Sequence, residues 1–191
     1  MEMTVSPVSP AAVSPVHHES LLVAADQLNV FFPILQHGVT VPAIVGCSLK
    51  SLLCDQFYIP ADYVTDRITT IFLDNRPVDD LEHTMIQNDS RVTLSAAMPG
   101  LVGATMRRGG FYAALRGGIS HGLDDGTATN NSGTIRLKLF NLLLAELGPL
   151  VLERGILLTP QELSGLRREQ PNLLTSVAEG DSVLLSVTFN N

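Results

Sequence analysis

The chain has no tryptophan, and aromatic residues make up only 5% of it. Charge is scarce as well, at 16% of residues, against about 25% in a typical soluble domain. A surface so poor in charge is expected to be partly covered by another copy or another protein. Positive charge is the scarcer sign, since 12 Lys and Arg face 19 Asp and Glu for a net charge of −7. That balance argues against nucleic-acid and membrane-surface binding, both of which need a basic footprint. The two cysteines, Cys47 and Cys54, are too few for a disulfide framework or a Cys-only zinc site. On one helix they would stand roughly 10 Å apart along the axis, beyond the reach of a disulfide, so reduced thiols are expected. The N-terminus has no cationic stretch followed by a long apolar core, so a secretory signal is not expected. The most apolar run, Leu137 to Leu158, is interrupted by Lys138, Glu146, Glu153 and Arg154, which excludes a transmembrane span. The cytoplasm is the expected compartment. Gly-x-Ser-x-Gly, His-Glu-x-x-His and Cys-x-x-Cys are all missing, and nothing in the chain points to a metal or a cofactor.

What is present divides the chain into four stretches. Residues 1–20 carry Ser-Pro at Ser6-Pro7, Ser9-Pro10 and Ser14-Pro15 without periodic apolar residues, which predicts a disordered arm. Residues 21–97 form the second stretch. There Leu28-Asn29-Val30-Phe31-Phe32 and Gly38 to Ile44 read as two strands around a turn at His37-Gly38. Ser48 is placed to cap a helix whose Leu49, Leu52, Leu53 and Phe57 share one face. Strands are predicted over Arg67–Leu73 and Arg91–Ser95, with turns at Asp74–Pro77 and Asn88–Ser90.

Residues 98–133 are a different texture, holding nine of the fifteen glycines. Glycine is costly inside helices and strands, so no single regular element is expected to run through this connection. Its apolar residues Leu101, Val102, Met106, Phe111, Tyr112 and Leu115 are expected to be buried, which speaks against disorder. The last stretch, 134–191, is predicted to be mainly helical. A helix is expected over Thr134–Leu147 from Ile135, Leu139, Leu142, Leu143 and Leu147, with a kink or break at Gly148-Pro149 and a short continuation ending at Gly155. A second is expected from the capping box Thr159-Pro160-Gln161-Glu162. After a turn at Gly180-Asp181, Val183–Val187 alternates as a final strand.

The predicted fold class is therefore α+β. The order strand, strand, helix, strand, strand over residues 27–97 resembles the ubiquitin-like β-grasp, and more closely the small sulfur carriers of thiamine and molybdopterin synthesis. Phe72-Leu73-Asp74-Asn75-Arg76-Pro77-Val78 followed by Gln87-Asn88-Asp89-Ser90-Arg91-Val92-Thr93-Leu94 is similar to their turn-and-strand pattern. Met98-Pro99-Gly100-Leu101-Val102-Gly103 stands where those carriers run out to a terminal glycine pair. The resemblance implies a carrier whose last glycine becomes a thiocarboxylate. This chain instead continues past Gly103 and ends in Thr188-Phe189-Asn190-Asn191, so that chemistry would need cleavage near Gly110 or Gly118.

Candidate chemistry concentrates in the glycine-rich connection. Arg-Gly-Gly occurs twice, at Arg108-Gly109-Gly110 and Arg116-Gly117-Gly118, beside Arg107 and ahead of His121. Guanidinium forks and glycine amides suit a phosphate, a carboxylate or a partner surface. The same arginines could instead pair with Asp79, Asp80, Asp124 or Asp125. Cys47 precedes the predicted helix, where the helix dipole could lower a thiol pKa, or it is a small core residue. Three readings follow. The chain is a non-catalytic β-grasp-like interaction subunit, either a homo-oligomer or the partner of a metabolic enzyme. Alternatively it is a sulfur-carrier-like protein activated by cleavage near Gly110, or a small anion-binding enzyme using Arg107, Arg108, Arg116 and His121. The first fits the missing catalytic motifs and the low surface charge.

Overall fold

The computed structural model describes residues 17–121, 128–171 and 182–190. Strand β1 (His17–Ala24) leads into a 3-10 turn (Ala25–Phe31) and helix α1 (Phe32–His37). Strand β2 (Val39–Val45) and the short β3 (Cys47–Ser48) precede α2 (Leu49–Ser51), which widens into a π turn over Leu52–Gln56. Helix α3 (Ala61–Asp66), β4 (Thr70–Leu73), β5 (Arg76–Pro77), β6 (Met85–Ile86) and β7 (Arg91–Ser95) follow. Helix α4 (Gly100–Met106) and a 3-10 stretch (Phe111–Ile119) come before β8 (Asn131–Phe140). The chain continues through α5 (Leu143–Arg154), β9 (Ile156–Leu158), α6 (Pro160–Glu169) and β10 (Val183–Asn190).

Eight strands form one mixed sheet in the order β1-β10-β9-β2-β8-β7-β4-β5, and β3 pairs with β6 separately. Two pairs are parallel, β1 with β10 and β7 with β8, and the others are antiparallel. The fold is α+β, as expected. Strand β8 lies between β2 and β7, so residues before 97 and after 134 share one sheet. Alternate residues of these strands are buried, among them Val41, Val92, Ile135, Leu137, Leu139 and Leu185. They join Leu35, Leu52, Leu53, Leu147 and Val151 from the helical segments in one core.

Three departures from the sequence expectations have clear causes. Leu28–Phe32 is helical rather than a strand, because Leu28, Phe31, Phe32 and Leu35 recur at helical spacing and Pro33 suits the first turn of α1. No hairpin forms there, and β2 takes β8 as its partner instead. Thr134–Phe140 is strand rather than helix, because Ile135, Leu137 and Leu139 alternate with Arg136, Lys138 and Phe140 at a period of two. The last third is therefore not mainly helical. Finally, His17–Ser20, placed in a disordered arm from sequence, pair with Val183–Ser186. The remainder of that arm, together with Gly122, Asp124, Asp125, Gly126, Gly180 and Asp181, lies outside the described residues.

Three local expectations hold. Ser48 Oγ accepts from the Ser51 amide at 3.1 Å. Thr159 and Glu162 form a reciprocal capping box, with amide-to-side-chain distances of 3.0 and 3.3 Å. The turn at Asp74-Asn75 has positive φ at both residues, 48° and 67°, the geometry a two-residue hairpin needs between β4 and β5. Of the kink or break expected at Gly148-Pro149, the break does not occur: α5 runs on to a C-cap at Gly155, with Leu144, Leu147, Val151 and Leu152 buried on both sides of Pro149.

Phe31 is wholly buried and meets the Phe189 ring edge-on at 6.1 Å, whereas Phe32 is half-buried. Phe31→Ala should cost about 3–5 kcal/mol, and Phe32→Ala much less, in urea unfolding monitored by circular dichroism. Equal losses would contradict this helical placement.

Candidate functional site

Up to His121, the glycine-rich connection is a strap laid beside β4 and β5. One end is held where the Arg108 amide donates to the Thr69 carbonyl at 2.8 Å, and the other where the His121 amide donates to Pro77 at 2.9 Å. Its glycines do specific work at two places. Gly117 has φ 55° and ψ −131°, a conformation essentially restricted to glycine. A Cβ on Gly103 would lie 1.8 Å from the Met98 carbonyl oxygen, so only glycine lets α4 fold back this closely.

The two Arg-Gly-Gly arginines turn inward. Arg108 Nη2 donates to the carbonyls of Val64 at 2.6 Å and Thr65 at 3.3 Å, at the C-terminal end of α3. Burial pulls its pKa down, against the attraction of Asp79. Arg116 is only 5% exposed; its Nη2 donates to Asp79 Oδ1 at 2.7 Å and to the Arg107 carbonyl at 3.4 Å. The Gly109 amide also points at Asp79, at 3.4 Å. Of the acidic partners weighed from sequence that lie among the described residues, Asp79 and Asp80, Arg116 meets Asp79. Nε and Nη1 of Arg116 are buried without an acceptor among the described residues, which costs stability. Arg107, Gly109, Gly117 and Gly118 are exposed; Gly110 and His121 are half-buried. The structure thus brings Arg108 and Arg116 onto internal acceptors rather than around a common anion.

Besides Arg107, the large side chains that the strap turns outward are apolar. Phe111 is 92% exposed, Leu101 and Leu115 are each 70% exposed, and Val102, Tyr112 and Ile119 are also exposed. Phe111 and Tyr112 stack edge-to-face at 5.2 Å. The sequence expectation that Leu101, Val102, Phe111, Tyr112 and Leu115 are buried is corrected on this point. Residues 100–119 contain no acidic side chain. Beneath the strap root, Phe72, Met98, Pro99 and Phe140 line an apolar cleft of about 320 Å³.

Neither cysteine is set up as a nucleophile. Cys47 is buried, its thiol donates to the Ile44 carbonyl at 3.2 Å, and burial pushes its pKa up. Burial also raises the Cys54 thiol. Among the described residues, no group of three or more His, Cys, Asp or Glu could hold a metal ion. No described helix is long and apolar enough to cross a membrane.

The most strongly shifted ionisable groups belong to a bolt between α3 and α5. Glu146 accepts hydrogen bonds from Arg67 and from the Tyr63 hydroxyl. These two donors pull the Glu146 carboxyl down to about 2, from 4.5. Burial, with the same carboxylate beside it, pushes Tyr63 up to about 12. Because the folded-state value of Glu146 is the lower one, its stabilisation is present above pH 4.5 and is lost as pH falls toward 2. Melting temperature measured across that window should fall less steeply for Glu146→Gln than for the wild type. A parallel fall would contradict the bolt. At the strap, Asp79→Ala leaves Arg116 a buried cation without its carboxylate and should cost about 2–4 kcal/mol. Arg116→Met should recover most of that loss in the Asp79→Ala background, measured by urea unfolding. Comparison with protein-family models, with curated proteins and with solved structures finds no match to this chain.

Proposed function

We propose that the protein is a non-catalytic interaction subunit whose docking element is the outward face of the strap, Gly100–Ile119. The observation that carries this is the concentration of six exposed large apolar side chains on that one segment. Exposed apolar clusters of this kind mark association sites on soluble proteins. Aromatic anchors such as Phe111 and Tyr112 are typical of interface centres. The inward arginines support the same reading, since they tie the backbone down and leave the apolar residues displayed.

The occupant is a second copy of this chain. In a chain of charge −7, a face without carboxylates can meet its own copy without concentrated like-charge repulsion. A two-fold contact would pair the same residues on both copies.

A β-grasp core is part of the proposal. Strand β2, the α2 turn, β4 and β7 follow the strand, helix, strand, strand order of the last four elements expected of that fold. Strand β8 would take the place expected of Leu28–Phe32 as the partner of β2.

Multi-angle light scattering after size exclusion should give a dimer mass for the wild type and a monomer mass for Phe111→Asp/Leu115→Asp, both with native circular dichroism. A wild type that is monomeric at all concentrations, or a double variant that remains dimeric, would overturn the assignment.

A further inference from the structure

Positive charge gathers over β2, β8 and β7, on the sheet face opposite the buried Ile135, Leu137 and Leu139. His37, Thr40, Asp89, Arg91, Arg136 and Lys138 line an open cleft of about 410 Å³ there. Register explains the clustering. Arg91 and Arg136 are direct neighbours across the parallel pair β7/β8, Arg136 faces Thr40 across β8/β2, and Lys138 follows two residues along the same strand face. Gly38, with φ 108°, clears the floor, since a Cβ there would lie 3.0 Å from Lys138 Cγ and 3.3 Å from Arg136 Nε.

Like charges placed side by side in a sheet are destabilising, and only partial compensation is built in. Arg136 is held by Glu162 at 2.8 Å and by the Thr40 hydroxyl at 3.2 Å. The Asp89 carboxylate accepts from Thr134 and from Asn88, each at 2.9 Å. Asp74, beyond the rim, accepts from the Arg91 amide at 2.8 Å. The side chains of Arg91 and Lys138 have no acceptor among the described residues. One pre-oriented guanidinium, one free guanidinium and one free ammonium therefore converge in a protein with only 12 such residues. A monocarboxylate is satisfied by a single arginine fork. Two cations without a carboxylate partner, beside the Arg136 guanidinium, suit the several oxygens and the double charge of a phosphate group.

We propose that this cleft binds the phosphate group of a small ligand, with Arg91 and Lys138 as its direct contacts and Arg136 beside them. The site is separate from the strap and does not depend on it.

Titration calorimetry at pH 8 and constant ionic strength tests the proposal on the full chain, with inorganic phosphate, glycerol phosphate and acetate as probes. Saturable binding of phosphate or glycerol phosphate, tighter than acetate by about tenfold or more, is expected. Whichever of the two binds more tightly tells a free ion from a phosphate ester. Arg91→Gln/Lys138→Gln should weaken that binding by about tenfold or more with an unchanged melting temperature, while Arg107→Gln should leave it intact. Binding of phosphate no tighter than acetate would overturn the assignment. So would a double variant that binds like the wild type, or an equal loss in Arg107→Gln.

Discussion

The pairing of β8 between β2 and β7 is the constraint on which the rest depends. Seven register pairs tie β8 to β2 and five tie it to β7. Its inward residues Ile135, Leu137 and Leu139 sit in the core shared with α5, and its outward residues Arg136 and Lys138 build the basic cleft. A one-residue slip would exchange these two sets and bury two cations. The same strand makes one sheet of sequence that lies on both sides of the glycine-rich connection, and the described part of that connection, up to His121, runs over the surface.

That route explains the chemistry of the strap. A connection crossing the surface has to satisfy its own backbone and be anchored, and Arg108 and Arg116 do this through the α3 carbonyls and Asp79. Their charge serves attachment, and the apolar side chains between them are left in solvent. Free positive charge appears instead on the sheet face at Arg91 and Lys138. The two surfaces differ in character, one apolar and one cationic.

Much of the fold was legible from sequence where a signal is local. The Ser48 and Thr159 caps and the Asp74-Asn75 turn are short motifs whose partners lie within three residues, and all three form. Two segments misled because their apolar residues fit both helical and strand periods over a short window. Leu28–Phe32 is rich in strand formers, yet helical packing of Phe31 and Leu35 in the core outweighs that preference. At Thr134–Phe140 the long-range partners β2 and β7 decide, and neither is visible locally. The basic cleft was illegible for the same reason: Arg91 and Arg136 are 45 residues apart in sequence and adjacent only through the parallel pairing. The strap arginines stood out in sequence, but their direction is set by Asp79 and α3, which lie far from them along the chain.

Hydrogen–deuterium exchange of the full chain at low and high protein concentration tests the central claim most directly. The account predicts that protection within Leu101–Ile119 rises with concentration while the strands of the sheet keep theirs unchanged. Protection of that segment that is independent of concentration, in a protein whose sheet is fully protected, would contradict it.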